Sequence, residues 1–332
     1  VVCRRQRQMC IRDSYLIALK FKTMISKTYK VFEDDSNKRI DKFITEQLDY
    51  LSRGIVQRLI SEGSVTVSKK KVSKDYKITE GEEIEVNFTD IVSKSDLPQK
   101  IDFRILEEQD DFLILDKPAG LTVHPGAGQR DNTLINGLLY KFPDLGKIPR
   151  NGLIHRLDKD TSGLIIIAKT LKSHTRLTKL IQSRLIKRRY LALVHGVPIA
   201  GKTINKPIGR HPKNRLIFCV KDGGRESITH FKVRERFDNF SLLEVSLETG
   251  RTHQIRVHLK FDGHPICGDR QYNKITKWSN SSMQEEVAIQ GLKRQALHAF
   301  NLSFNYDQKD YTYESPMPQD LISCIRGLKK NL

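Results

Sequence analysis

Cysteine is scarce: Cys3, Cys10, Cys219, Cys267 and Cys324 are scattered through 332 residues, odd in number and without a Cys-x-x-Cys pair. That spacing excludes a disulfide framework and a zinc knuckle, and it suits a reducing cytoplasm. Long apolar runs are missing too. The longest purely aliphatic stretch, Leu164 to Ala168, falls far short of the roughly 20 residues a membrane helix needs, so no membrane partner is expected. Glycine and proline are ordinary at 20 and 11, and 38% of the residues are hydrophobic, which excludes fibrous folds and wholesale disorder. Acidic charge is also short: 39 Asp and Glu face 58 Lys and Arg, a net charge of +19. An excess of that size points to a polyanion, foremost a nucleic acid.

The length predicts two domains. Residues 1–37 read as an N-terminal extension. Within it, residues 1–23 carry six Lys and Arg against one Asp, lack a signal-peptide cleavage site, and read as disordered or upstream of a true start at Met24. Residues 38–90 read as a small domain. Ile40, Phe43, Ile44 and Leu48 recur at helical spacing, and Ser52 can cap a second helix carrying Ile55, Val56, Leu59 and Ile60. Val65 and Val67 then alternate with polar residues, the tip at Ser68–Lys71 is basic, and Ile84 with Val86 make another strand. Lys69, Lys70 and Lys71, with Arg53 and Arg58, suggest a grip on phosphates.

Residues 91–100 are polar, contain Pro98 and read as a linker. Residues 101–332 then turn to strands, expected at 103–106, 112–115, 121–123, 152–157, 164–168, 190–194, 229–233, 242–247 and 254–259. A basic helix is expected at 171–183, and a polar surface loop at 273–295. Many strands with few intervening helices predict an α+β fold on a large mixed, mostly antiparallel sheet.

Several stretches imitate known chemistry. Gly196-Val-Pro-Ile-Ala-Gly201-Lys202-Thr203 satisfies the phosphate-loop pattern, but its interior is β-branched and Pro207 forbids the helix that must follow. Asp158-Lys-Asp160-Thr-Ser162-Gly163 opens like a calcium loop, yet Lys169 stands where the bidentate Glu belongs. Gly126-Ala-Gly128 lacks a third glycine. His253 and His258, read on a strand, point to opposite faces. No metal site and no cofactor are expected.

Two polar blocks remain. His155-Arg156-Leu157-Asp158-Lys159-Asp160-Thr161-Ser162-Gly163 lies between apolar segments and reads as a turn at a sheet edge. Glu248-Thr249-Gly250-Arg251-Thr252-His253-Gln254-Ile255-Arg256-Val257-His258 packs two arginines, two histidines and a glutamine into one segment. They could form a charged turn and a structural ion-pair network, with Glu248 and Asp158 as partners.

HRLDKDTSG, IKRRYLALVHG and ETGRTHQIRVHLKFDGHPICGD, preceded by LDKPAGLTVHPGAG and followed by RQALHA and SPMPQDL, resemble the RluA family of RNA pseudouridine synthases. The 38–86 segment is similar to the S4-type RNA-binding domain, except that Ser68 stands where Asn-Gly is typical. The resemblance spans residues 38–325 and implies the pseudouridine synthase fold. It matches Asp158 to the catalytic aspartate, Tyr190 to the tyrosine beside the target base, and Arg256 to the arginine that pairs with the carboxylate. Arg156 matches a residue that occupies the space left by the extruded base. His155, Arg251, His253 and Gln254 are expected to contact RNA, with Arg53, Lys69, Lys70 and Lys71 in the small domain. Domain order and the HPGAG block imply action on the helix 69 region of 23S rRNA or the precursor large ribosomal subunit, by a cytoplasmic monomer needing no nucleotide cofactor. A non-catalytic RNA-binding or ribosome-assembly factor and a phosphate-loop NTPase are the competing readings.

The charge generates one expected outcome. RNA affinity should fall steeply as salt rises from about 50 to about 200 mM. Fluorescence anisotropy checks it, and a flat response would detach the basic surface from binding.

Overall fold

The computed structural model describes residues 24–48, 53–89, 97–126, 129–214, 217–273 and 282–329. The expectations for residues 1–23, the Ser52 cap, residues 91–96 of the linker, Gly128 and residues 274–281 of the polar loop lie outside the described residues. The chain divides into two compact units, Val1–Ser93 and Lys94–Leu332.

In the first unit, β1 (Met24–Lys30) is followed by helices α1 (Ile40–Gln47) and α2 (Arg53–Ser61) and strands β2 (Val65–Val67), β3 (Lys70–Lys71) and β4 (Glu83–Thr89). The sheet runs β1-β4-β2-β3, antiparallel throughout. Ile40, Phe43, Ile44, Leu48, Val56, Leu59 and Ile60 bury their helix faces against Val65, Val67, Ile84 and Val86, as their spacing predicts. Residues 24–30, read from sequence as part of an extension, instead supply a full edge strand, because Met24 to Lys30 pair residue by residue with Thr89 to Glu83.

The β2–β3 tip shows how the chain manages without Asn-Gly. Ser68 and Lys69 both adopt positive φ, 47° and 66°, the backbone pattern of a two-residue hairpin. Neither residue is suited to that region. Gly63 completes the corner, since at φ 77° a Cβ there would lie 2.7 Å from the Lys71 side chain.

The second unit contains β5 (Arg104–Glu108), β6 (Phe112–Lys117), α3 (Leu134–Lys141), β7 (Ser162–Ala168), α4 (Leu171–Gln182), β8 (Lys187–His195), β9 (Lys202–Asn205), β10 (Ile208–Arg210) and β11 (Phe218–Val220). It continues with β12 (Ile228–Arg236), β13 (Phe240–Leu247), α5 (Gln254–Phe261), α6 (Met283–Gln290), β14 (Leu297–Tyr306), β15 (Lys309–Glu314) and α7 (Gln319–Leu328). Among the described residues, nine strands form one sheet in the order β5-β6-β7-β14-β8-β13-β12-β9, with β15 on β14. Among the described strands only the β7–β14 pair is parallel, so the expected mixed, mostly antiparallel α+β sheet is the one found. Strand β7 is buried along its whole length because both sheet faces are covered. On one side Leu113, Leu115, Ile165 and Ile167 join the main core; on the other, Phe112, Ile114, Ile166 and Leu177 of α4 form a second. At the start of β7 the backbones close in: a Cβ on Gly163 would lie 2.2 Å from the Ala299 carbonyl oxygen of β14. Among the described residues no helix is long and apolar enough to cross a membrane.

Four local expectations are corrected. Residues 254–259 are helix α5, not a strand. Ile255, Val257 and Leu259 imitate alternation, but the first six residues of the helix are buried, so the period of burial is lost. Residues 152–157 form the end of a tight turn and a loop, in which Arg150 and Asn151 adopt left-handed backbone. Residues 121–123 are not a strand. The expected polar loop contains α6, whose Ser282 caps the helix by accepting from the Glu285 N–H at 3.2 Å. Within the expected linker, the Leu97 and Gln99 backbones hydrogen-bond to Asn136 of α3. The phosphate-loop alternative also falls: Lys202 opens strand β9, pairs with Asp262 and precedes no helix.

The β2–β3 tip yields a stability outcome. Lys69→Gly should relieve the left-handed strain and stabilise the first unit by about 1 kcal/mol. Thermal unfolding of the full chain reads the shift, and a lower midpoint would show that the lysine side chain contributes more than its backbone costs.

Candidate active site

Asp158 sits in the loop that leads into β7, where a turn closes by the Thr161 N–H donating to the Asp158 carbonyl at 3.1 Å. Its carboxylate is 17% exposed and borders two cavities, of about 430 and 320 Å³. Arg256, on the first turn of α5, donates from Nη1 to Asp158 Oδ2 at 3.1 Å. The same guanidinium grips Asp269 more tightly, Nε to Oδ2 at 2.7 Å and Nη2 to Oδ1 at 2.9 Å, and reaches Gln271 Oε1 at 3.0 Å. Its plane lies 4.8 Å from the Tyr272 ring centre. Burial opposes the Arg256 charge, but Asp269 and Asp158 outweigh it and hold the pKa above the ordinary arginine value.

His253 initiates α5 in left-handed conformation, φ 56°. Its Nδ1 lies 2.8 Å from the Tyr272 hydroxyl, which also accepts from the Phe218 N–H at 2.9 Å. Its Nε2 lies 3.9 Å from Asp158 Oδ2. Burial lowers the His253 pKa, so the ring faces Asp158 uncharged at neutral pH.

Tyr190, on β8, is 4% exposed and lines the larger cavity with Leu157, Ile255 and Leu297. Burial pushes its phenol above the ordinary value, which keeps the hydroxyl protonated. Arg156 is exposed and lines both cavities, with Nη1 3.3 Å from His124 Nε2. Burial and the nearby Arg156 and Arg150 charges hold His124 at about 4. Arg251 lines the larger cavity, its Nε donating to the Glu226 carbonyl at 3.1 Å.

Two residues expected to contact RNA, His155 and Gln254, line the larger cavity and also brace the fold. His155 is 7% exposed and its Nε2 accepts from the Ile166 N–H at 3.1 Å, bracing β7. Gln254 is 2% exposed: its amide donates to Ile228 and Thr229, and its oxygen accepts from Thr249 and the Arg251 N–H. Buried donors and surface donors look alike in a sequence. In the basic run 187–189, strand alternation leaves Lys187 exposed, aims Arg188 into the larger cavity and ties Arg189 to Asn301 and Glu244.

The small unit carries its basic residues separately. Arg53 is engaged with fully buried Asp41, Nη2 to Oδ2 at 3.0 Å, beside Arg39 and Gln57. Burial disfavours the Asp41 charge, but these donors prevail and hold its carboxyl at about 2. Lys69, Lys70 and Lys71 are exposed at the hairpin tip.

Asp269, Gln271, Tyr272 and Lys117 were not singled out by residue chemistry. Asp269 closes the HPICGD block, which was its available signal. Lys117 is fully buried, and its Nζ donates to the carbonyls of Pro118, Leu121 and Lys159 at 2.7, 2.8 and 2.9 Å. Burial lowers its pKa to about 7, against the pull of Asp160 and Asp158. It ties the Asp158 loop to the loop after β6.

Both units are similar to known proteins. The RNA pseudouridylate synthase family matches residues 111–261, and the S4 domain matches residues 38–84. A Xanthomonas campestris protein named ribosomal large subunit pseudouridine synthase D is 39% identical over 299 residues, covering 89% of this chain and 90% of its own. A Bacillus subtilis protein, described as uncharacterized RNA pseudouridine synthase YlyB, is 38% identical over 305 residues, 90% and 97% of the two chains. The solved structure of human RNA pseudouridylate synthase domain containing 1 superposes with a TM-score of 0.52 at 26% identity, over 68% of this chain and 89% of that one.

The Arg256–Asp269 pair has a measurable weight. Asp269→Ala strands a buried guanidinium and should destabilise the second unit by about 3 kcal/mol. Urea denaturation monitors this, and an unchanged midpoint would mean that Asp158 alone suffices to hold Arg256.

Proposed function

Because the chain belongs to the RNA pseudouridine synthase family and isomerises uridine to pseudouridine, we propose that Asp158 is the nucleophile of that reaction and large-subunit rRNA its substrate. The observation that carries this reading is the carboxylate of Asp158, held 3.1 Å from Arg256 at the mouth of the cavity that Tyr190 lines.

The reaction breaks the N1–C1′ bond, turns the uracil and joins C5 to C1′, so it needs neither a redox equivalent nor an energy source. An ionised carboxylate is a suitable nucleophile toward an electrophilic carbon. Arg256 fixes the direction of the Asp158 carboxylate, while Asp269 and Gln271 fix Arg256. Extruding the target base costs a few kcal/mol, least in a loop, so a loop uridine is the favoured substrate. The extruded uracil enters the larger cavity, with Tyr190 beside its face and its hydroxyl available for proton transfer at C5. Arg156, exposed at the surface, fills the space the base leaves. Arg251 and Arg188 contact the strand around it.

The relatives' printed names support large-subunit rRNA, and the helix 69 region of 23S rRNA is the proposed address within it. The S4 domain, with Lys69, Lys70 and Lys71 at its tip, adds affinity for RNA without choosing the base. The same reading makes the protein a cytoplasmic monomer that works on the large subunit or its precursor.

Asp158→Ala should lower the rate of pseudouridine formation about 10⁴-fold or more, with RNA affinity changed less than about threefold. Single-turnover release from tritiated uridine RNA measures the first and anisotropy the second. Full activity in the variant would remove Asp158 from the role.

A further inference from the structure

Asp158 faces a second cavity whose chemistry differs from that of the first. The two share Arg156, Asp158, His253 and Arg256. Beyond these the larger one has Leu157, Tyr190, Ile255 and Leu297, a surface for a flat base. The smaller, about 320 Å³, has no tyrosine, phenylalanine or aliphatic side chain in its lining. Its wall is polar, with Thr122, Gln271 and Gln295 among basic residues.

The charges of this cavity divide between its floor and its rim. On the floor, Arg256 is neutralised by Asp269 and Asp158. Arg294, only 10% exposed, is neutralised by Asp320 at 2.7 Å and hydrogen-bonds the Asp160 carbonyl at 3.0 Å. On the rim, Lys159, Arg270 and Lys293 are exposed, and among the described residues none has a carboxylate within ion-pair distance. Asp160 is the rim's acidic residue. Three cations from three separate segments therefore converge on one polar recess beside the reactive carboxylate. A solvated face would not need a recess with a fixed, neutralised floor. Beyond the shared His253 it adds no aromatic ring for a uracil to stack on. A phosphodiester would find cationic donors from three segments.

We propose that the smaller cavity seats a phosphodiester adjoining the target uridine, gripped by Lys159, Arg270 and Lys293, with Arg156 dividing base from backbone. The proposal rests on the reading of Asp158 as the reacting carboxylate, because that reading places the target ribose at the shared mouth. With the base in the larger cavity, the attached backbone has the smaller one as its complementary surface. The strand is thereby held on one side of the target nucleotide, which sets the direction in which it crosses the site.

Binding of a 23S rRNA helix 69 stem-loop to the full-length Asp158→Ala variant tests this apart from chemistry, the target uridine being fixed first by pseudouridine mapping. The phosphates on either side of that uridine are replaced singly by uncharged methylphosphonates, with Arg270 and Lys293 intact and with both changed to Ala. One flanking replacement should weaken binding about tenfold in the intact background and less than about twofold in the double variant. Arg270→Lys with Lys293→Arg should restore the tenfold sensitivity, since the charge returns and the fold is held constant. Equal sensitivity with and without the two cations, or no sensitivity at either flank, would overturn the proposal. Failure of the catalytic reading would show separately, as activity retained by Asp158→Ala.

Discussion

One guanidinium held between two carboxylates organises the second unit. Arg256 is almost wholly buried, and a buried cation is tolerable only with close, well-directed partners. Asp269 meets that demand with two short hydrogen bonds and leaves Nη1 to reach Asp158. The division of labour matters. If Asp158 alone neutralised Arg256, the pair would be closed on itself and the carboxylate would be a structural group. Because Asp269 carries most of the neutralisation, Asp158 is oriented by a cation that is already satisfied, and it keeps an open side. Tyr272 adds to the arrangement from both directions, stacking on Arg256 and holding the His253 ring by a hydrogen bond at Nδ1.

The rest of the unit serves to bring these groups together. Asp158 and Arg256 are 98 residues apart in the chain. The first rides on the loop before β7, the second on a helix that follows β13, and the sheet order places both near the middle of the same sheet. Lys117 and His155 brace the Asp158 loop from below by hydrogen bonds to backbone, while Gln254 pins the segment leading into α5. These buried polar residues fix position, and their side-chain chemistry is the same as that of RNA-contacting groups.

That duality explains which parts of the molecule were legible in the sequence. The helices of the first unit were, because Ile40, Phe43, Ile44 and Leu48 obey one period and burial agrees with it. Strands β6 and β7 were, as apolar runs covered on both faces. Helix α5 was not, since Ile255, Val257 and Leu259 alternate within a segment buried all round, where periodicity carries no information. Strand β1 was missed because its sequence, Met-Ile-Ser-Lys-Thr-Tyr-Lys, is that of a mostly solvated edge. At the site, the pairing of Asp158 with Arg256 came from resemblance to a family, since no spacing rule links positions so distant. The bracing done by His155 and Gln254 was not legible, because exposure, the property that separates bracing groups from surface donors, is set by tertiary packing.

The place of β14 has a consequence for folding. This strand, residues 297–306, lies between β7 and β8 and joins the two halves of the sheet, although it is far from both along the chain. Until it docks, Gly163 has no Ala299 to pack against, and the walls bearing Asp158 and Tyr190 are not held together. Assembly of the site therefore waits on a long-range pairing, a step slow compared with local helix formation.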